Sequence, residues 1–170
     1  MKKTAIGLAF LVAWCLAGPS WAQKDEDKEH AQLAKAMTQA KVSLQRGLTA
    51  SAKEGKPISA KFEMEEGKLQ LSVYTMKGDK FSEVIVDHKT GKVAKAEPIT
   101  QGDDLTAAKA QSEAVAKAKR PLTAAAGEAV TENKGYRAVS VMPAIKDGHP
   151  VAEVALVKGT QWKTVAEKLD

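Results

Sequence analysis

Five consecutive residues, Asp87-His88-Lys89-Thr90-Gly91, offer the densest group of reactive side chains in the chain. One insertion separates them from the Asp-Lys-Thr-Gly run on which phosphoryl-transfer enzymes build an aspartyl phosphate. That chemistry needs a magnesium site, a nucleotide domain and a cytosolic phosphate donor, and the short chain, with the leader described below, supplies none of them. His88 could ligate a metal, but the other histidines, His30 and His149, stand at no ligand spacing such as i, i+4 on one helix. Ser51, Ser59, Ser72, Ser82, Ser112 and Ser140 fall in expected helices or strands, without a strand-turn-helix elbow or a suitably placed histidine. The sequence therefore predicts no catalytic residue, no metal site and no cofactor. It predicts a turn at Asp87-Thr90-Gly91: the Asp87 carboxylate accepts from backbone N–H groups two and three residues on, and Gly91 takes a positive φ.

The chain opens as an address. Lys2 and Lys3 precede an apolar run from Thr4 to Leu16, and Gly18-Pro19-Ser20-Trp21-Ala22 places small residues for a cut after Ala22. Residues 1–22 read as a secretory signal peptide whose apolar run is too short to span a membrane, where roughly 20 residues are needed. Trp14 precedes Cys15 where lipid attachment wants a small residue. With Cys15 removed, no disulfide, thiolate metal site or cysteine nucleophile remains. The expected product is periplasmic or secreted, with no stable membrane insertion.

From Gln23 onward 170 − 22 = 148 residues remain, with 26 − 2 = 24 basic against 21 acidic side chains, a net charge of +3. That balance, with few aromatic side chains, gives no footprint for nucleic acid. Asp25-Glu26-Asp27 and Lys117-Ala118-Lys119-Arg120 read as solvated helix ends, each of the sign that its end of the dipole favours.

Asp25 to Glu54 predicts a helix: Leu33, Met37, Ala40, Leu44 and Leu48 recur at steps of four, three, four and four. Gly47 interrupts the stripe, and Gly55-Lys56-Pro57 stops it. The period then becomes two. Strands are expected at 59–65, 69–76, 81–87 and 92–98, separated by glycine-containing turns. Leu69, Leu71 and Val73 share one face of the second strand while Gln70 and Ser72 share the other, as in a sheet covered by a helix on one side and wet on the other.

A second cycle follows. Asp103-Asp104 offers an N-cap, and Leu105, Ala108, Ser112 and Val115 mark the buried side of a helix ending before Pro121. Strands are expected at 122–131, 136–142, 151–157 and 161–168. Lys56-Pro57-Ile58-Ser59-Ala60 aligns with Arg120-Pro121-Leu122-Thr123-Ala124, and Ser82-Glu83-Val84-Ile85-Val86 with Ala152-Glu153-Val154-Ala155-Leu156. These matches predict an internal duplication. Each half is small for a lone core, so the halves should pack on each other or on a second copy, and a homodimer is among the expected partners.

The first half, with a helix followed by Phe62-Glu63-Met64-Glu65, Leu71-Ser72-Val73-Tyr74, Glu83-Val84-Ile85-Val86-Asp87 and Thr90-Gly91-Lys92-Val93, resembles the PepSY domain. The resemblance covers about 41–97 and, more weakly, 107–169. In the second half Val157 stands where Asp87 would be and Gln161 where Gly91 would be, while Thr160 is kept. It implies an α+β fold of two tandem repeats, each one helix on an antiparallel β-meander, similar to cystatin in general plan. The implied organisation is an N-terminal helical extension at 23–40, a PepSY-like domain at 41–100 and a diverged one at 101–170. It also implies a non-enzymatic binding or regulatory module, such as a peptidase inhibitor acting through protein contact. The other reading is an envelope-associated structural protein that binds a small ligand or polymer. Tyr74, Phe81 and Trp162 are the candidate interaction residues if they are not spent on the core.

Overall fold

The computed structural model describes residues 20–170, with side chains from Glu26 onward. The expected leader and Cys15 lie outside the described residues, except that the backbone of Ser20, Trp21 and Ala22 opens the first helix. The elements run α1 (Ser20–Met37), α2 (Leu44–Ser51), β1 (Lys56–Glu65), β2 (Lys68–Lys77), β3 (Lys80–Val86), β4 (Val93–Ile99), α3 (Gly102–Lys117), α4 (Leu122–Glu132), β5 (Arg137–Lys146), β6 (His149–Lys158) and β7 (Gln161–Lys168). The fold is α+β, with seven strands in one antiparallel sheet ordered β4-β3-β2-β1-β5-β6-β7.

Tight hairpins set the registers. Glu66-Gly67 and Asp147-Gly148 have positive φ at both central positions, while in the β2-β3 and β6-β7 turns only the leading Gly78 or Gly159 does. Both patterns suit the twist of a two-residue hairpin. The strands before and after residue 101 meet where β1 pairs with β5, Ala60 opposite Val141 and Lys61 opposite Ser140.

One face of the sheet is apolar. Phe62, Leu71, Val73, Val84, Val86, Val141, Ala152, Val154 and Leu156 are all buried, and α2 and α4 lie side by side against β1, β2, β5 and β6. α3 crosses the opposite face over β1, β5 and β6, where Gln111 accepts from the Ser59 hydroxyl at 2.7 Å and approaches Met142 Sδ at 3.9 Å. α1 is tied down by Arg137, which donates to the carbonyls of Met37, Ala40 and Val42 at 2.6, 3.0 and 3.2 Å.

Three expectations need correction. The stripe Leu33, Met37, Ala40, Leu44 and Leu48 is buried throughout, but it belongs to two helices. Lys41 and Val42 give their N–H groups to the carbonyl of His88 at 2.9 and 3.2 Å, and Ser43 caps α2 by accepting from Arg46 N–H. A long-range contact thus breaks the helix before Ser43, whereas Gly47 lies inside α2. The segment 122–131 is helix α4, not a strand: Leu122, Ala125, Ala126 and Ala129 are buried at helical spacing. Asp103 and Asp104 sit in the first turn of α3 rather than capping it, the cap position being Gln101.

These elements also move the two sequence matches. Lys56-Pro57-Ile58 begins β1 while Arg120-Pro121-Leu122 leads into α4, and the second match pairs β3 with β6. The first thus joins a strand to a helix, and the second joins the third strand of one half to the second strand of the other.

Candidate functional site

Alternation along β1 to β4 builds a polar platform on the face away from α2. The registers place Ser59 opposite Tyr74, Tyr74 opposite Glu83, and Glu83 opposite Glu97. The next row along the strands is Lys61, Ser72, Ile85 and Lys95, and the one after it begins with Glu63 and Gln70. Rows of acid and base therefore alternate. Lys61 bridges Glu63 at 2.6 Å and Lys95 bridges Glu97 at 2.7 Å.

The middle of the platform is partly withdrawn from water. Ser72 is fully buried and receives a bond from Gln70 Nε2 at 2.9 Å, while the same nitrogen reaches Glu83 Oε1 at 3.5 Å. Burial pushes the Glu83 carboxyl above the ordinary glutamate range; Glu63 and Asp104 push it further, against a lowering by the Ser72 hydroxyl and Lys61. Burial, aided by Glu83 and Glu63, raises the Tyr74 phenol far beyond its usual value, so it stays a neutral donor. The Lys61 ammonium stands 5.7 Å from the centre of the Tyr74 ring.

All three expected interaction residues share this face, since Lys61 stands opposite Ser140, Ser140 opposite Ala155, and Ala155 opposite Thr164, two residues from Trp162. Phe81 is buried at its upper end, where it pairs with Met76 and Ile99. Trp162 lies on the far edge strand β7, half-buried, with His30 of α1 stacked on it at 4.6 Å between ring centres. The structure brings two of the three together and leaves the third apart. Lys61, Glu63, Glu83 and Asp104 were not offered as interaction residues from the sequence, although the polar alternation of Gln70 and Ser72 was the signal for this face.

At the β3-β4 turn, Asp87 Oδ1 accepts from Lys89 N–H at 2.8 Å and Thr90 N–H at 2.7 Å, and Gly91 N–H returns to the Asp87 carbonyl at 2.8 Å. Those two N–H groups hold the Asp87 carboxyl below its usual range. Gly91 has φ +71°, and a Cβ there would come 3.0 Å from Arg46 Nε. His88 is half-buried, its carbonyl taken by the α1-α2 joint and its Nδ1 buried without a partner. The turn is thereby a clamp on α2. Among the described residues no three histidine, cysteine or acidic side chains are grouped as a metal site.

A groove of about 460 Å³ opens where α2, the end of α3 and the start of α4 meet. Leu48, Pro57, Val115, Ala118 and Leu122 supply apolar lining, and Lys56, Lys119 and Arg120 its charge. Arg120 is held by the Lys168 carbonyl at 2.9 Å and by Glu128.

No protein-family model matches this chain, and no curated protein matches it significantly. Among solved structures, it is similar to that of a candidate lipoprotein from Clostridium difficile 630, at 12% identity and a TM-score of 0.40, over 69% of this chain and 78% of that one. At that distance the likeness transfers neither name nor activity. No described helix is long and apolar enough to cross a membrane.

Proposed function

We propose that this is a non-enzymatic, exported binding or regulatory module of the PepSY kind, built as two diverged repeats, that restrains a peptidase or engages another envelope protein through direct contact. The observation that carries this reading is the polar platform around Tyr74 and Glu83. It is a sheet face with a partly withdrawn tyrosine, a residue type enriched at interfaces, surrounded by rows of lysine and glutamate that can serve only as a polar rim. The repeat organisation rests on the sequence resemblance, and the export on the leader. A pull-down from the exported fraction of the source cell tests it: a peptidase should co-purify and lose activity when the chain is added back. Unchanged hydrolysis across the exported peptidases would remove the inhibitory role.

The groove favours a second reading, a ligand with an apolar body and an anionic head. Its lining comes from α2 on one side of residue 101 and α3 and α4 on the other. Calorimetric titration with decanoate should then give saturable heat that Ala118→Trp abolishes by filling the space. Absence of heat with the unmodified chain would dismiss it.

A further inference from the structure

The two outer edges of the sheet differ. In a two-residue hairpin the flanking residues bond to each other, and inward and outward groups alternate from there. Lys77 and Lys80 flank the β2-β3 turn and Phe81 pairs with Ile99. Phe81, Glu83 and Ile85 therefore bond to β4, and Pro98 occupies a β4 position whose N–H would face outward. Proline supplies no such donor, a common way to blunt an edge. Lys95 and Glu97 add charge on the same strand.

β7 carries no proline. Gln161 and Lys158 flank its hairpin, and Leu169 N–H bonds to the Pro150 carbonyl at 3.0 Å. The odd-numbered residues of β7 thus bond to β6, leaving Trp162, Thr164 and Ala166 to present their N–H and C=O groups to the open edge, with the Lys168 N–H beside them and the Lys168 carbonyl already accepting from Arg120 at 2.9 Å. None of them is proline or glycine, and β6 and β7 pair without a register shift.

We propose that β7 is the seat of a homodimer, two copies joining edge to edge as an antiparallel pair centred on Val165. A twofold axis normal to the sheet keeps each face on its own side, so only residues on the same face can stand opposite one another. Centring on Val165 sets Lys163 against the partner's Glu167, Thr164 against the partner's Ala166 and Trp162 against the partner's Lys168. The outward groups of Trp162, Thr164 and Ala166 then find partners, the Lys168 carbonyl takes the partner's Trp162 N–H beside its bond from Arg120, and both acid-base pairs are complementary. Centring on Thr164 instead sets Lys163 against a valine and strands Lys168 beyond the pairing. Glu167 also stands to gain. Its carboxyl is held above the usual range by partial burial and by Glu128 and Glu132, with Arg120 opposing, and an incoming lysine offsets that repulsion. The product is one continuous sheet, an addition of strand to strand, with both polar platforms left open. It holds whether or not the platform binds a peptidase.

Sedimentation velocity at tens of micromolar and cysteine crosslinking test this. In a Cys15→Ser background, Val165→Cys should give a disulfide-linked dimer under a mild oxidant, because the Cβ atoms of a non-hydrogen-bonded cross-strand pair lie about 4.5 Å apart, within reach of a disulfide. Lys163→Cys, which faces the partner's Glu167 rather than its own copy, should not. Thr164→Pro should yield a monomer, and as the Thr164 N–H points outward, the inner ladder is spared. A monomer in the unmodified chain, a folded Thr164→Pro that still dimerises, or equal crosslinking at both cysteines would overturn the proposal.

Discussion

Tyr74 and Glu83 stand directly opposite each other on β2 and β3, a neutral phenol beside a carboxyl that burial has pushed above its ordinary range. The folded state therefore holds the Glu83 proton more tightly than the unfolded chain does. Its ionisation costs stability as pH rises from the ordinary glutamate value of 4.5 through the raised folded value, and the penalty is constant above that. Glu83→Gln should raise Tm by a few degrees at pH 7 and leave it unchanged near pH 3, as thermal unfolding followed by circular dichroism would record.

Asp87 has the opposite sign. Its carboxyl is depressed by the Thr90 and Lys89 N–H groups, so its contribution is present above the ordinary aspartate value and disappears as pH falls through the lower folded one. Asp87→Ala should lower Tm at pH 7 and match the unmodified protein once the acid is strong enough to protonate Asp87 in the folded state. A constant difference across the whole range would contradict the carboxylate role.

Leu71 presses on the backbone of α2 at Gly47, where a Cβ would lie 2.7 Å from Leu71 Cδ2 and 3.2 Å from Cγ. Alanine improves helix propensity by about 1 kcal/mol, but overpacking a fully buried leucine costs about 1–3 kcal/mol. Gly47→Ala should be neutral to destabilising by up to about 2 kcal/mol in urea unfolding. Leu71→Val should cost less in that background than alone, the mark of a shared contact.

Arg137 holds three carbonyls at the end of α1 and in the joint before α2. Hydrogen bonds from a charged donor are worth about 1.5–3 kcal/mol, so Arg137→Met should free α1 before it unfolds the sheet. Hydrogen exchange should show faster exchange across 26–42 with the β2 and β6 amides still protected. Uniform acceleration would mean that α1 and the sheet open together.

The strands and tight turns were legible because period two and glycine placement are local signals. Gln161–Lys168 is a strand over the expected residues, and the other strands differ from expectation mostly at their ends. α4 was misread as a strand because the segment after Pro121 stood in the place of the second cycle's first strand. The spacing of Leu122, Ala125, Ala126 and Ala129 and the four-residue step from Glu128 to Glu132 already favoured a helix. The break before Ser43 was not locally legible, since it depends on the His88 carbonyl brought in from the β3-β4 turn. The platform was half legible: Gln70 and Ser72 marked the wet face, but Lys61, Glu83 and Asp104 meet there only through strand register and the placement of α3.

The central claim is that the Tyr74 face binds and restrains a polypeptide partner. Its most direct measurement is the rate of peptide hydrolysis by the exported peptidases of the source cell, titrated with the unmodified chain and with Tyr74→Ala checked for fold by circular dichroism. The account predicts that the unmodified chain slows hydrolysis saturably and that Tyr74→Ala needs about tenfold more protein for the same effect, the scale of an anchoring aromatic. Hydrolysis untouched by the unmodified chain, or equal potency of the two, would contradict it.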